Sequence, residues 1–308
     1  IYTGEDTLSL HDALPILQDV GTRVYTFVTT LLYMMEACAA AKKALWVLDR
    51  PNPAGRPVEG TLLTAGSESF VGAGPLPMRH GLTLGELARW FARRFRLDLE
   101  LRIIEMRGYD PEAAPGYGWP LGELSWVNPS PNATTLSMAR CYAGSVMIEG
   151  TTLSEGRGTT RPLEGVGAPD LDVAALLSEM SRLAPHWLEG CRIRPWYFEP
   201  TFHKHAGKLC RGIQLHVDAV GYDHARFRPY RLMSLFFKAV RRLLPDYPLW
   251  RDFPYEYVTD RLAIDVITGG EYLRQWVDDA QASCADFDAH LRKDESSWLE
   301  ERRDLLIY

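Results

Sequence analysis

The chain has 308 residues, 46% of them hydrophobic and 24% charged, and its 34 basic and 40 acidic side chains give a formal net charge of −6. This composition is typical of a globular protein with room for two domains, and the negative balance without a long Lys/Arg run argues against a nucleic-acid partner. No apolar run is long enough to span a membrane, and five cysteines without a C-x-x-C pair indicate buried thiols, not a disulfide or zinc framework.

Residues 1–16 do not share the pattern of the chain that follows. They contain neither a basic n-region nor an apolar h-region, so they are not a secretory signal. Their second part resembles an adapter-derived translation fused to an open reading frame. We therefore predict that residues 1–16 are a non-native leader and that native sequence begins near Leu17.

After this segment the pattern predicts an α/β fold. Residues 17–21 are predicted to be a strand end, residues 25–42 a helix that is apolar on most faces, and residues 44–48 a buried strand. Such a strand–helix–strand unit predicts a parallel sheet with a right-handed crossover, as in part of a Rossmann-like domain. Thr83 and Glu86 then form a capping-box pattern at the start of the next helix.

The domain boundary is predicted within residues 107–132, which are rich in Gly, Pro and Trp. We place a partial Rossmann-like domain over 17–125 and an α+β domain over 126–308, because the second part mixes strands and helices without a βαβ rhythm. Further strands are predicted over 99–103, 145–148, 192–198 and 213–217, and further helices over 171–183, over 230–244 and from 271 toward the C-terminus.

The segment 149–162, with the sequence EGTTLSEGRGTTRP, is the most polar and chemically dense stretch. It holds two carboxylates, two guanidinium groups, five hydroxyls and three glycines. Such a run cannot fill an apolar core, because each buried polar group would need its own partner. Glycines on both sides of Arg157 allow positive φ and a close approach to a ligand. A functional loop and a solvated loop with internal ion pairs both fit this composition.

This segment resembles the signature of the exo-β-N-acetylmuramidases (the NamZ family), which are exo-acting peptidoglycan glycosidases. Seven other stretches resemble the family in the same order, at 17–26, 47–53, 58–60, 78–83, 129–132, 200–204 and 212–217. The family normally begins with further βα units and a Gly-Pro-Glu-His-Gly type element, which this sequence lacks. The resemblance therefore implies an N-terminally truncated member of the family.

The resemblance implies a glycoside hydrolase that releases terminal non-reducing N-acetylmuramic acid, with its site in a cleft between the two domains. The partner would be a saccharide that contains muramic acid, and no cofactor or metal is implied. A location in the cell envelope, in the periplasm or outside the cell would follow from such a substrate. The sequence leaves the oligomeric state open.

Glu149 and Glu155 are the candidate carboxylates for this chemistry, and His80 is a candidate acid/base. Glycosidic hydrolysis uses two carboxylates in retaining or inverting geometry, or the acetamido group of the substrate itself, and the sequence does not choose among these. An ion pair between Glu155 and Arg157 that only holds the loop is an equal alternative. For His80 the alternative is a structural turn.

Three candidate substrate-binding residues lie at predicted strand ends, where open α/β sheets bind their ligands. They are Asp19, Arg50 and Asn52. The alternative for the segment around Arg50 and Asn52 is an Asx-turn fixed by the flanking prolines, and the family resemblance favours the site.

The resemblance adds four further substrate-binding candidates, which are Asn132, Arg157, Lys204 and His216. We expect an arginine, preferably Arg157, to hold the lactyl carboxylate of muramic acid through two hydrogen bonds. His203, His205 and His216 also allow a metal site in principle. No acidic or cysteine partner lies at ligand spacing, so polar site lining is the preferred interpretation.

The sequence leaves two alternatives to this function open. One is a protein that binds peptidoglycan fragments without cleaving them, and the missing upstream element favours it. The other is a misfolded fragment with exposed strand edges.

Overall fold

The computed structural model describes residues 17–218 and 220–308 and has a mixed α/β architecture with two sheets. A two-stranded parallel sheet pairs β1 (Leu45–Leu48) with β2 (Leu101–Ile104). A three-stranded antiparallel sheet contains β3 (Gly165–Ala168), β4 (Arg192–Phe198) and β5 (Cys210–His216), with β5 in the centre. The mixed α/β class is thus confirmed, whereas the Rossmann-like detail, the domain division and the interdomain cleft stay predictions.

Eight α-helices accompany the strands in this part of the chain. They are α1 (Phe27–Ala40), α2 (Leu84–Phe95), α3 (Leu136–Ser145), α4 (Val173–Leu183), α5 (Pro229–Leu243), α6 (Ala263–Thr268), α7 (Tyr272–Asp278) and α8 (Cys284–Arg302). Short 3₁₀ turns span Val146–Gly150, Pro185–Leu188 and Arg303–Leu305. None of the helices described combines the length and the apolar character that crossing a bilayer requires.

Most predicted elements are confirmed, and three differ. Residues 17–21 form no strand, so the parallel partner of β1 is β2 and the crossover helix is α2. The predicted strand over 145–148 is wrong, because the chain there completes α3 and enters a 3₁₀ turn. The helix predicted from 271 is two helices, since Ser283 forms a new capping box with Asp286. The predicted leader lies outside the described residues.

The start of α2 fixes the turn that follows β1. Thr83 Oγ1 accepts from the amide of Glu86 (3.2 Å), and the Glu86 carboxylate accepts from the amide of Thr83 (2.8 Å), as the capping-box pattern predicts. Asp49, directly after β1, accepts from the Gly85 amide (2.8 Å). Arg56 donates to both oxygens of Glu86 (2.6 and 2.8 Å). The 49–56 turn is therefore held against one helix terminus.

Several contacts tie the N-terminal and C-terminal halves together, among them those of Trp298 and Glu59. Trp298 of α8 is fully buried in the core that α1, α2 and β1 form, and its ring meets that of Trp90 at 5.3 Å. Glu59 is fully buried and accepts from the amides of Tyr230 and Arg231 (3.1 and 2.9 Å) at the start of α5. A carboxylate at a helix N-terminus satisfies free amides and complements the helix dipole. The candidate residues of both halves therefore lie on elements that pack against each other.

Candidate active site

Glu149 lies in the 3₁₀ turn that follows α3. Its side chain is 17% exposed, so the carboxylate borders the solvent. One oxygen accepts from Arg157 Nη2 and the other from the hydroxyl of Tyr255 (2.8 Å). Buried Ile148 precedes it and anchors the turn in the core. The apolar lead-in thus delivers Glu149 from a helical turn and not from a strand.

Glu155 is the buried carboxylate of the cluster, with 1% of its side chain exposed. Arg157 Nε donates to it (2.7 Å), Lys204 Nζ lies 2.8 Å away and His203 Nδ1 lies 3.5 Å away. Burial would raise the pKa of Glu155, but Lys204, His203 and Arg157 outweigh burial and hold that pKa well below its ordinary value. Glu155 is therefore an anion throughout the physiological pH range.

Arg157 bridges the two carboxylates, and the ion pair that the sequence left open is present. Burial tends to lower the pKa of Arg157, but the charges of Glu149 and Glu155 prevail and raise it. Gly156 and Gly158 both have positive φ, and a Cβ at position 156 would clash with Trp196 and one at position 158 with Thr201. The glycines therefore allow the loop to close on β4 and the segment after it.

Lys204 makes structural hydrogen bonds in addition to its ion pair with Glu155. Besides facing Glu155, its ammonium group donates to the carbonyls of Ile148 (2.7 Å) and Thr151 (3.1 Å). The 200–205 segment is thereby bonded to the backbone on both sides of Glu149. The structure brings together four sequence candidates: Glu149, Glu155, Arg157 and Lys204.

Asp19 and His80 form a second buried pair. His80 Nδ1 accepts from the amide of Leu82 (3.1 Å), so a neutral ring carries its proton on Nε2, which lies 3.3 Å from Asp19 Oδ2. The other oxygen of Asp19 is buried and meets no hydrogen-bond partner within the described ranges. Trp298 Nε1 and Arg302 Nη1 donate to the His80 carbonyl (2.8 and 3.3 Å), so α8 holds the loop in place.

Arg50 and Asn52 lie beside this pair and line one small cleft with Asp19. Arg50 Nε donates to Gln18 Oε1 (3.0 Å). The Asn52 amide group donates to the carbonyls of Gly55 (3.2 Å) and Leu82 (3.0 Å), and its oxygen accepts from the Ala54 amide (2.9 Å). Asn52 therefore shapes the turn, whereas Arg50 keeps most of its guanidinium available.

Asn132 and His216 lie near the far end of the 149–162 segment. Half-buried Asn132 precedes the N-cap of α3, and His216 Nε2 accepts from Arg194 Nε (2.8 Å) on β4. Arg161 connects this end to Glu164 (3.2 Å) and lies 3.9 Å from Asp218, two residues after His216.

Two tyrosines, Tyr25 and Tyr142, connect the Glu149 cluster to the Asp19 pair. Their ring centroids lie 5.8 Å apart at 85°. Burial, and after it the charge of Glu149, raises the pKa of Tyr142 well above its ordinary value. Burial raises the pKa of Tyr25 to about 12, with a smaller contribution from Asp19. Both rings pack around Val20, the residue after Asp19, and Tyr142 lies on α3, which leads into the Glu149 turn, so the two rings, which we name the tyrosine wall, adjoin both clusters.

Sequence reasoning missed Tyr255, which donates to Glu149 from 106 residues away. No local spacing links the two positions, and only the fold could have found the contact. The three histidines considered for a metal have separate partners: His203 faces Glu155, His205 meets the carbonyl of Thr152 and His216 meets Arg194. In the part of the chain that the structure describes, no group of three or more His, Cys, Asp or Glu is placed to hold a metal ion.

Comparison with known proteins covers nearly the whole chain. The N-terminal family model of the exo-beta-N-acetylmuramidase NamZ matches residues 5–137, and the C-terminal model matches residues 140–308. A peptidoglycan beta-N-acetylmuramidase NamZ from Bacillus subtilis (strain 168) is 38% identical over 231 residues, which are 75% of this chain and 53% of that protein. The chain thus spans about half the length of the curated relative.

Two solved structures share this fold. Two DUF1343 family proteins from Bacteroides fragilis, each 25% identical, superpose with TM-scores of 0.80 and 0.70. They cover 95% and 94% of this chain, which in turn covers 73% of each of them. With both family models matched along its length, the chain belongs to the NamZ family of exo-β-N-acetylmuramidases.

Proposed function

We propose that this protein is an exo-acting glycoside hydrolase that releases terminal non-reducing N-acetylmuramic acid from peptidoglycan fragments. The observation that carries the proposal is the Glu149–Arg157–Glu155–Lys204 cluster, in which the first three residues lie on segment 149–162 and Lys204 joins them from segment 200–205. It presents a partly exposed carboxylate beside a buried one that is held as an anion. Family membership supplies the substrate class.

In this proposal Glu149 acts on the substrate, and Glu155 positions Glu149 through Arg157. Hydrolysis breaks the bond between C1 of the sugar and the leaving oxygen, which takes up a proton while the hydroxyl of water adds to C1. Glu155 cannot supply that proton, because Lys204 and Arg157 keep it ionised. Glu149 borders solvent and accepts hydrogen bonds from Tyr255 and Arg157, so we assign it the role of orienting the substrate or accepting a proton.

The second group of the reaction has to come from another position. Glu149 and Glu155 bind the same guanidinium and Glu155 is kept ionised, so in this proposal the two do not supply both the acid and the group on the opposite face of the sugar. The His80–Asp19 pair across the tyrosine wall and the substrate's own acetamido group are the remaining sources. Arg50, Asn52, Asn132, Arg157, Lys204 and His216 stay proposed substrate contacts or supports for them.

A second candidate function, binding without cleavage, is favoured by one observation. Arg157, Glu155 and Lys204 already have protein partners, so the cluster can be complete as a structural unit. Calorimetric binding of a muramyl saccharide without turnover would select this function.

The deciding experiment is turnover of a chromogenic N-acetylmuramide by the purified protein. We expect release of the chromophore, and we expect Glu149→Gln to lower kcat/KM by about 10²–10⁴-fold while the fold persists. Glu123→Gln, on an exposed loop, is the matched control and should be silent. Equal rates for the wild type and Glu149→Gln would refute the assignment.

A further inference from the structure

The turn at 255–258 is built in an unfavourable backbone conformation. The amides and carbonyls of Tyr255 and Val258 bond each other (3.0 and 2.9 Å), which closes a two-residue hairpin loop. Its central residues, Glu256 and Tyr257, have φ of 44° and 70°. Loops with two positive φ values usually contain Asn-Gly, because larger side chains are strained there. Glu and Tyr at two strained positions point to a function for their side chains.

The ring of Tyr257 projects into solvent and meets two other aromatic rings. Tyr257 is 90% exposed. Its ring lies 6.2 Å from that of Phe70, which stacks at 6.1 Å and 28° on Tyr33 of α1, itself 51% exposed. We name Tyr33, Phe70 and Tyr257 the aromatic platform. Three separate segments of the chain thus contribute to one outward apolar surface.

The same turn reaches the candidate active site. Tyr255 donates its hydroxyl to Glu149 (2.8 Å), so the residue at one end of the strained loop orients the exposed carboxylate. Glu256 follows Tyr255 directly, so the tip of the loop begins one residue from the contact with that carboxylate, and burial and the charge of Glu149 raise the pKa of Glu256. Tyr257 is 90% exposed and lies two residues after Tyr255, so the loop leads from the Glu149 carboxylate, which is 17% exposed, to the solvent-exposed platform.

We propose that the aromatic platform binds the sugar ring on the leaving-group side of the scissile bond. A pyranose ring has an apolar face of C–H groups, and covering it with aromatic rings removes both surfaces from water. The terminal sugar of an exo-acting enzyme enters the enclosed end, so the rest of the saccharide runs outward over this surface. The inference rests on the proposed function and adds a subsite to it.

The test compares two substrates that differ only in their leaving group. One is the disaccharide of N-acetylmuramic acid β-1,4-linked to N-acetylglucosamine, and the other is the β-fluoride of N-acetylmuramic acid, whose leaving group is a single atom. We expect Tyr257→Ala to lower the ratio of kcat/KM for disaccharide over fluoride by about two- to tenfold. Trp46→Ala, an exposed aromatic on β1, should leave the ratio unchanged.

A double variant separates binding from folding. The double variant Glu256→Asn/Tyr257→Gly places residues that tolerate positive φ at both positions, so we expect its Tm to rise. Because it also lacks the Tyr257 ring, we expect the same decrease in the ratio of kcat/KM for disaccharide over fluoride. An unchanged ratio in both variants would overturn the proposal. So would a change in sedimentation with unchanged kinetics, which would identify the platform as an interface between copies.

Failure of the proposed function is recognised separately. If the wild type turns over neither substrate, calorimetric titration with the disaccharide decides. Weaker binding by Tyr257→Ala then supports the platform, and unchanged binding overturns it.

Discussion

His224 is a buried imidazole surrounded by cations. Its Nδ1 lies 2.8 Å from the Tyr222 hydroxyl and its Nε2 lies 3.4 Å from Arg79 Nη2, while the ring of Tyr117 stacks on it at 4.8 Å. Burial, and then the charges of Arg79, Arg140 and Arg228, lower its pKa to about 2. The ring is therefore neutral in the folded protein at every pH of biological interest.

This imidazole makes stability depend on mildly acidic pH. Below its ordinary pKa of 6.5, His224 binds a proton in the unfolded chain but not in the folded one. Its contribution is therefore complete above pH 6.5 and is lost as the pH falls, by about 1.4 kcal/mol per pH unit. We expect urea unfolding between pH 7 and 5 to show this slope and His224→Gln to lack it. His186→Gln, on the exposed surface, should keep it.

Glu155 makes stability depend on pH in a second, more acidic range. Its pKa lies below the ordinary value of 4.5, so the unfolded chain takes up the proton first and stability falls as the pH drops below 4.5. Glu155→Gln should lower the free energy of unfolding by about 3–5 kcal/mol at pH 7, because it leaves the buried Lys204 charge without the carboxylate that faces it. In urea titrations the gap to the wild type should narrow at pH 3.5. A gap independent of pH would contradict the ionised state of Glu155.

Short apolar runs limited what the sequence could predict about the elements. Ser145–Ile148 is fully buried, and a buried run of this length fits a strand or a helical turn equally well. The capping box of Thr83 and Glu86 was predictable, since its signal lies within one helical turn. The ion pairs of the 149–162 segment were likewise local, whereas Tyr255 depends on how the helices pack.

Helix α5 depends on a carboxylate from a distant loop. Glu59 binds two amides at its N-terminus and lies 3.6 Å from Arg231 Nη1. Glu59→Gln removes the charge and leaves one amide without an acceptor, so we expect the free energy of unfolding to fall by about 1–3 kcal/mol. Urea unfolding measures this change, with Glu68→Gln on an exposed turn as the control. Equal losses in both variants would contradict a capping role.

At the scale of the whole molecule, α8 completes a core that begins more than two hundred residues earlier. Trp298 is fully buried against Trp90 and donates to the His80 carbonyl (2.8 Å). No sequence period connects a C-terminal helix to this loop, so its partner in the fold was not predictable from the chain alone. The position of His80 therefore reflects the packing of both halves.

Graded substitutions at Trp298 separate its packing from its hydrogen bond. Trp298→Ala should lower the free energy of unfolding by about 3–5 kcal/mol through the cavity it leaves. Trp298→Phe keeps most of the ring and should lose about 1 kcal/mol with the bond to His80. Leu299→Ala, next in sequence and 45% exposed, is the control and should change stability by less than either. Chemical denaturation of the three variants measures these changes. Equal losses of the free energy of unfolding in all three would contradict the packing role of Trp298.

The bond between Trp298 and His80 closes a loop of 218 residues, which has a consequence for biosynthesis. A ribosome adds about 5–20 residues per second, so roughly 10–40 s pass between the emergence of the two partners. Throughout that interval Trp90 and its neighbours expose a hydrophobic surface on the nascent chain. Production of this protein in a cell should therefore respond to the supply of holdase chaperones and to slower translation at low temperature.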